Sequence, residues 1–300
     1  MNESQNTGAT QENENKEIKS IENLLKECRG LQNEHGDDVQ LYFRGESSDS
    51  WDLRPSVMRC SEEDKDKFPF RAWEGEMLNE LMSRQPEAFS GLTSAFSQWV
   101  LAQHYGLKTR LLDITRNRDI EDGRLHVFSV WRDMIKSFNS DTVSIIANFA
   151  KLRHAEQNLL LSKTGEDSDE GEDLDLKKER DEALGRLYHF IRQEKPYFLE
   201  NIDLRDLFRV FVVEPQQSFE RIRMQSGAFL ISVFHERFER NEILNRNADI
   251  PVYDYYTLKV PYKSKQDIIE ELRLLNITRE SLFPGLDEAA KAVTQRYSEE

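Results

Sequence analysis

From Ile18 onward the apolar residues Ile18, Ile21, Leu24, Leu25 and Leu31 recur at helical spacing, which predicts an amphipathic helix ending near Gly30. The period then changes. After the loop-forming stretch Asn33-Glu34-His35-Gly36-Asp37-Asp38, the segment Val39-Gln40-Leu41-Tyr42-Phe43-Arg44 alternates every second residue, as a strand does. Such a strand sets Leu41 and Phe43 on one face and Tyr42 and Arg44 on the other. Helical spacing returns over Phe68 to Leu81. A third helix should start at a Ser94 cap, carry Phe96, Trp99 and Val100 on one side and stop at Gly106.

Further along, Thr109 to Thr115 and Arg124 to Trp131 read as strands, the second introduced by Asp122-Gly123. Long helices are predicted over Val143 to Leu161 and Lys177 to Gln193. Leu207 to Val213 is the most apolar strand pattern in the chain, ended by Glu214-Pro215, and is expected at the centre of the sheet. A short helix over Ser218 to Met224, strands over Gly227 to Phe234 and Tyr253 to Val260, and helical segments over Lys265 to Leu275 and Leu286 to Tyr297 complete the reading. The fold class is α+β: a central mixed or antiparallel sheet flanked by helices, with a helical insertion and a helical C-terminus.

Composition refines this picture. The 300 residues are 38% hydrophobic and 32% charged, enough apolar material for one principal core with appendages. Residues 1 to 16 form a polar tail expected to be disordered, 17 to 262 the main domain, and 263 to 300 a helical extension. No apolar run approaches the ~20 residues that cross a bilayer. The opening Met1-Asn2-Glu3-Ser4-Gln5 lacks the basic start and apolar stretch of a targeting segment, and Cys28 and Cys60 make no disulfide framework, so a reduced, cytoplasmic protein is expected. The net charge of -15 argues against strong non-specific nucleic-acid binding. Its distribution is uneven: Glu166, Asp167, Asp169, Glu170, Glu172, Asp173 and Asp175 place about half of the excess in one loop, 165 to 176, which reads as solvated.

The familiar catalytic strings are absent: no G-x-G-x-x-G, no G-x-x-x-x-G-K, no H-E-x-x-H, no C-x-x-C and no G-x-S-x-G. The six histidines, at 35, 104, 126, 154, 189 and 235, show no short metal-ligand spacing, and no metal is predicted. Three local strings do carry chemistry: Tyr42-Phe43-Arg44-Gly45-Glu46; Gln103-His104-Tyr105-Gly106, running on to Arg110-Leu111-Leu112-Asp113-Ile114-Thr115; and Arg221-Ile222-Arg223-Met224-Gln225-Ser226-Gly227-Ala228-Phe229.

Together, and with Trp51-x-Leu53-x-Pro55, these strings resemble the FRG domain, a family marked by Phe-Arg-Gly, Gln-His-Tyr-Gly-Leu, Arg-Leu-Leu-Asp and a late Gln-x-Gly-Ala-Phe. The resemblance runs from about Ile18 to Phe238. The family usually continues past Leu-Leu-Asp-x-Thr with Asn-Pro and a short apolar helix. Here Thr115-Arg116-Asn117 passes through Arg118-Asp119-Ile120-Glu121-Asp122-Gly123 straight to the next strand, so that helix is expected to be missing and the pocket beside Asp113 enlarged or exposed. The order of parts is also similar to the ADP-ribosyltransferase plan: a first strand ending in a gripping residue, a second ending in a small hydroxyl residue, and a late strand introduced by Gln or Glu. That resemblance implies NAD as a substrate and a protein or nucleic-acid acceptor.

The residues themselves leave alternatives open. Arg44, followed by Gly45, can grip a phosphate or carboxylate with its planar fork, or form an internal ion pair with Asp113 or Glu46. Asp113 lies among apolar neighbours and needs a partner whether it clamps the fold or acts as a catalytic acid. His104 is a candidate proton carrier at a helix end. On the transferase analogy Gln225 orients the ribose, Thr115 faces the nicotinamide, and Arg110 and Gly227 help hold the cofactor. Two other readings remain: a non-enzymatic interaction or regulatory module, and a magnesium-dependent nuclease built on Asp113 and Glu214.

Overall fold

Eight strands form one sheet in the order β1-β8-β4-β2-β3-β7-β6-β5. They are β1 (Lys16–Glu17), β2 (Val39–Glu46), β3 (Leu112–Thr115), β4 (Arg124–Trp131), β5 (Ile135–Ser137), β6 (Phe211–Glu214), β7 (Gly227–Ile231) and β8 (Tyr253–Lys259). The two outermost pairs, β1 with β8 and β5 with β6, are parallel, and all other neighbours are antiparallel, so the sheet is mixed. The computed structural model describes residues 16–46, 53–59, 69–115, 123–161, 174–202, 207, 209–216, 227–233, 238 and 253–282. The expected helices over Ser218 to Met224 and Leu286 to Tyr297, and residues 116–122, where the family's short helix is expected to be missing, fall outside them.

Helices flank the sheet: α1 (Ile21–His35), α2 (Glu74–Arg84), α3 (Pro86–Phe89), α4 (Ala95–His104), α5 (Asp141–Phe149), α6 (His154–Leu161), α7 (Leu174–Glu194), α8 (Lys265–Leu274) and α9 (Arg279–Leu282). The fold is α+β, as the periodicity predicts. The sheet joins two four-stranded halves through one rung, because β2 and β3 share the single register pair Phe43 with Thr115. By contrast, β2 pairs with β4 over its whole length, from Val39 with Trp131 to Glu46 with Arg124.

Pleating divides the core. Leu41, Phe43, Leu125 and Val127 bury against Leu24 and Cys28 of α1 and Ile268 of α8. On the same face of the other half, Phe229 and Val213 meet α4, α5 and α7 through Phe96, Ile146 and Leu187. Phe96 stands edge-on to Phe229 with ring centroids 5.9 Å apart. On the opposite face Tyr42, Ile114, Phe128 and Leu230 pack beneath Leu53 and Phe238. There the Tyr42 hydroxyl donates to Oε1 of Glu214 at 2.7 Å. Three strand steps in a flat sheet span about 14 Å, so this contact means that the sheet curls around that face.

Local chemistry sets the helix ends. Ser20 caps α1 by accepting from the Asn23 amide at 3.2 Å, and Glu271 of α8 accepts from the Ile21 amide at 2.6 Å. Contrary to the sequence expectation, α1 does not end near Gly30. A side chain there would meet open space, and the helix runs on to His35, where Gly36 at φ 73° ends it. Ser94 caps α4 as expected, accepting from the Ser97 amide at 3.1 Å, while Glu194 at the end of α7 accepts from the Ala95 amide at 2.5 Å.

Two other expectations are corrected. The single helix over Val143 to Leu161 is two, because α5 ends at Phe149 and α6 restarts at His154, where the Glu156 carboxylate accepts from the Arg153 amide at 2.9 Å. The apolar Leu207 to Val213 segment yields only β6, over Phe211–Glu214, and lies second from an edge between β5 and β7. Its apolar character comes from helices on one face and the curled core on the other, not from a central position. Leu174 and Asp175, within the expected acidic loop, already belong to α7.

Candidate functional site

The site begins where the joint between the two halves opens. Continuing the register beyond Phe43 and Thr115 would bring Gly45 beside Asp113, but no further rung forms. Instead the Arg44 guanidinium takes the place of a backbone donor: its Nη1 donates to the Asp113 carbonyl at 2.9 Å and contacts Asp113 Oδ1 at 3.1 Å. Pleating starts Arg44 and Asp113 on opposite faces, so the open ladder is what lets them meet. Arg44 Nε contacts Glu46 Oε1 at 3.5 Å. Both internal partners weighed for Arg44 are therefore engaged, one on each side.

Exposure separates their roles. The Glu46 side chain is 4% exposed and that of Arg44 16%, whereas the Asp113 side chain is 67% exposed. A guanidinium fixed by two carboxylates thus holds one carboxylate out toward solvent at the gap. Gln103, on the last turn of α4, points its Nε2 at Asp113 Oδ1 from 3.5 Å, and its Oε1 accepts from the Thr109 hydroxyl. Thr109 is held in turn: its amide donates to Ser56 Oγ at 3.0 Å, and its carbonyl accepts from the Val57 amide at 3.1 Å. The segment after Pro55 therefore fixes the loop that leads from α4 into β3.

His104, the next residue of α4, is exposed and lies edge-on to Tyr105, with ring centroids 5.0 Å apart. Thr115 occupies the joint itself, its backbone paired with Phe43 on one side and Gly227 on the other. Gln225 lies outside the described residues, two positions before Gly227. Strands β2, β3 and β7, which bear or directly follow the three strings, are therefore consecutive neighbours in the sheet.

Arg110 faces the interior. It is 2% exposed and meets Glu74, 1% exposed, with Nε to Oε1 at 3.1 Å, Nε to Oε2 at 3.0 Å and Nη2 to Oε2 at 2.5 Å. Its amide donates to the same carboxylate, its Nη1 donates to the Val233 carbonyl at 3.1 Å, and its guanidinium sits 5.9 Å from the Phe149 ring centroid. Gly75 allows this arrangement. A Cβ there would stand 3.0 Å from the Lys151 carbonyl oxygen, so any side chain would have to push back the backbone that follows α5 by a few tenths of an ångström.

Sequence reasoning missed His126. Register places it opposite Arg44 on β4, and opposite Thr257 on β8. It is 1% exposed, with Nε2 3.1 Å from Glu46 Oε2 and Nδ1 2.6 Å from the Tyr255 hydroxyl, on whose ring it stacks. The available signal was an imidazole flanked by apolar residues, Leu125 and Val127, in the strand Arg124 to Trp131. Among the described residues no group of three or more His, Cys, Asp or Glu side chains is arranged to hold a metal ion.

A family model described as the FRG domain matches residues 39–120, from the start of β2 past the end of β3, and the chain carries an FRG domain over that span. The match includes Arg44, Gln103, Arg110 and Asp113 and stops short of Gln225 and β7. No curated protein and no solved structure matches the chain. No described helix is long and apolar enough to cross a membrane.

Proposed function

We propose that the FRG domain of this chain binds NAD at the gap between β2 and β3 and acts as an ADP-ribosyltransferase-like enzyme. The observation that carries this reading is the adjacency of β2, β3 and β7, with Phe43, Thr115 and Gly227 on one row and Asp113 exposed beside it. In the proposed reaction the bond from the ribose C1′ to the nicotinamide nitrogen breaks, and its electron pair leaves with nicotinamide. An acceptor nucleophile bonds to C1′ and gives up its proton. Positive charge builds on the ribose meanwhile, and a fixed carboxylate stabilises it.

Asp113 supplies that carboxylate, and His104, at the end of α4, serves as the proton carrier. Arg44 spends Nε and Nη1 within its clamp; among the described residues Nη2 has no partner, and it is the nitrogen assigned to the ribose or a phosphate. Gly45 and Gly227 let the ligand approach the backbone, Thr115 lies on the nicotinamide side and Gln225 orients the ribose. Arg110 is assigned to the scaffold.

A second reading has its own support. Both motif arginines, Arg44 and Arg110, are bound by carboxylates of the same chain, which suits an interaction module whose motifs specify a fold. Labelled NAD incubated with purified protein and lysate separates the two, read as label transferred to protein or nucleic acid and as heat of binding by calorimetry. Transfer that disappears in Asp113→Asn supports the enzyme. Absence of both binding and transfer leaves the module.

A further inference from the structure

We propose that His126 is the positioning residue of the Asp113 site, acting on it through Glu46 and Arg44. The identity of the ligand rests on the reading above; the chain of contacts does not. It runs from the Tyr255 hydroxyl to His126 Nδ1 at 2.6 Å, from His126 Nε2 to Glu46 Oε2 at 3.1 Å, from Glu46 Oε1 to Arg44 Nε at 3.5 Å, and from Arg44 Nη1 to Asp113. These contacts link β8, β4, β2 and β3 and cross the joint between the halves of the sheet.

The direction of the bonds follows from chemistry. Ionised Glu46 only accepts, so the His126 nitrogen facing it must carry a proton. With Nε2–H fixed on one oxygen, the other oxygen of the carboxylate is aimed at Arg44. Both His126 and Glu46 are nearly without solvent exposure, so water does not replace either partner. Pairing with β4 continues past Arg44, but on the β3 side the ladder stops at Phe43, so no backbone rung there aims the Arg44 side chain at Asp113. It is aimed by Glu46 from one side and anchored at Asp113 on the other. Arg124 lies opposite Glu46 in the register and is the other charged residue of β4 beside this row.

The test uses the full-length protein labelled with 15N at histidine and arginine. Wild type should show a proton on His126 Nε2 in long-range correlation spectra and a slowly exchanging Arg44 Nε–H. His126→Leu should speed that exchange and weaken NAD binding, each by about tenfold, the effect of one lost hydrogen bond. His126→Gln, whose amide can donate to Glu46, should recover most of both. A wild-type His126 protonated only on Nδ1 overturns the proposal. So does a His126→Leu protein that melts lower yet keeps Arg44 exchange unchanged. If wild type binds no NAD, the functional reading fails, while the Arg44 exchange still decides the role of His126.

Discussion

Removing Glu74 tests whether Arg110 belongs to the fold or to a ligand site. The Glu74→Ala change deletes the carboxylate that receives Nε, Nη2 and the backbone amide of Arg110, at 2.5 to 3.2 Å. The guanidinium that remains is 2% exposed and, among the described residues, keeps the Val233 carbonyl and the Phe149 ring. Breaking a buried pair from one side costs about 3 to 5 kcal/mol, because the surviving charge stays desolvated. For a chain of this size each kcal/mol lowers Tm by roughly 2 °C, so the midpoint should fall by about 6 to 10 °C. Replacing both partners with apolar residues, Glu74→Leu with Arg110→Met, should regain at least half of the loss. Differential scanning calorimetry of the two variants reads both outcomes. A Glu74→Ala protein within about 2 °C of wild type, as for an ordinary surface change, would refute the clamp and return Arg110 to the ligand candidates.

Three further outcomes are expected. Gly75→Ala should cost about 1 to 3 kcal/mol in denaturant unfolding, because the new methyl meets backbone atoms that cannot rotate away, the carbonyl oxygen and Cα of Lys151 at 3.0 and 3.1 Å. Burial, aided by the Arg71 guanidinium, holds the His154 imidazole below its ordinary range. The unfolded chain therefore takes up this proton first, and stability is lost as pH falls from about 6.5 to the folded pKa, then levels off. An NMR titration that places His154 at or above the free imidazole value would contradict this. Asp113→Asn should leave Tm within about 2 °C of wild type, because its side chain is 67% exposed, while abolishing label transfer from NAD.

Where the pattern came from one helix face or one strand, the fold was legible from the residues. The alternation from Val39 to Arg44 gave β2 and its two faces, and Ser94 with Gly106 bounded α4. The break between α5 and α6 was not legible, because no glycine or proline marks it; it depends on the Glu156 bond to the Arg153 amide and on the contact with Gly75. β1 and β5, of two and three residues, are too short to show a period. For the site, the sequence supplied Arg44, Asp113 and the choice of Asp113 or Glu46 as partners. It could not supply His126 or Glu74. One lies opposite Arg44 only through strand register, and the other meets Arg110 only through the packing of α2, neither of which leaves a local trace.

The brevity of β1 and β5 has a consequence for life at high concentration. At the β5 rim the described sheet ends in a three-residue, parallel-paired stub that offers a second molecule almost no straight run of amides and carbonyls to copy, whereas at the other rim β1 covers only Leu258 and Lys259 of β8. Its long apolar strands, which would template cross-β growth if bared, are walled into the interior. At the β5 rim geometry works against fibril recruitment alongside the net negative charge of the chain.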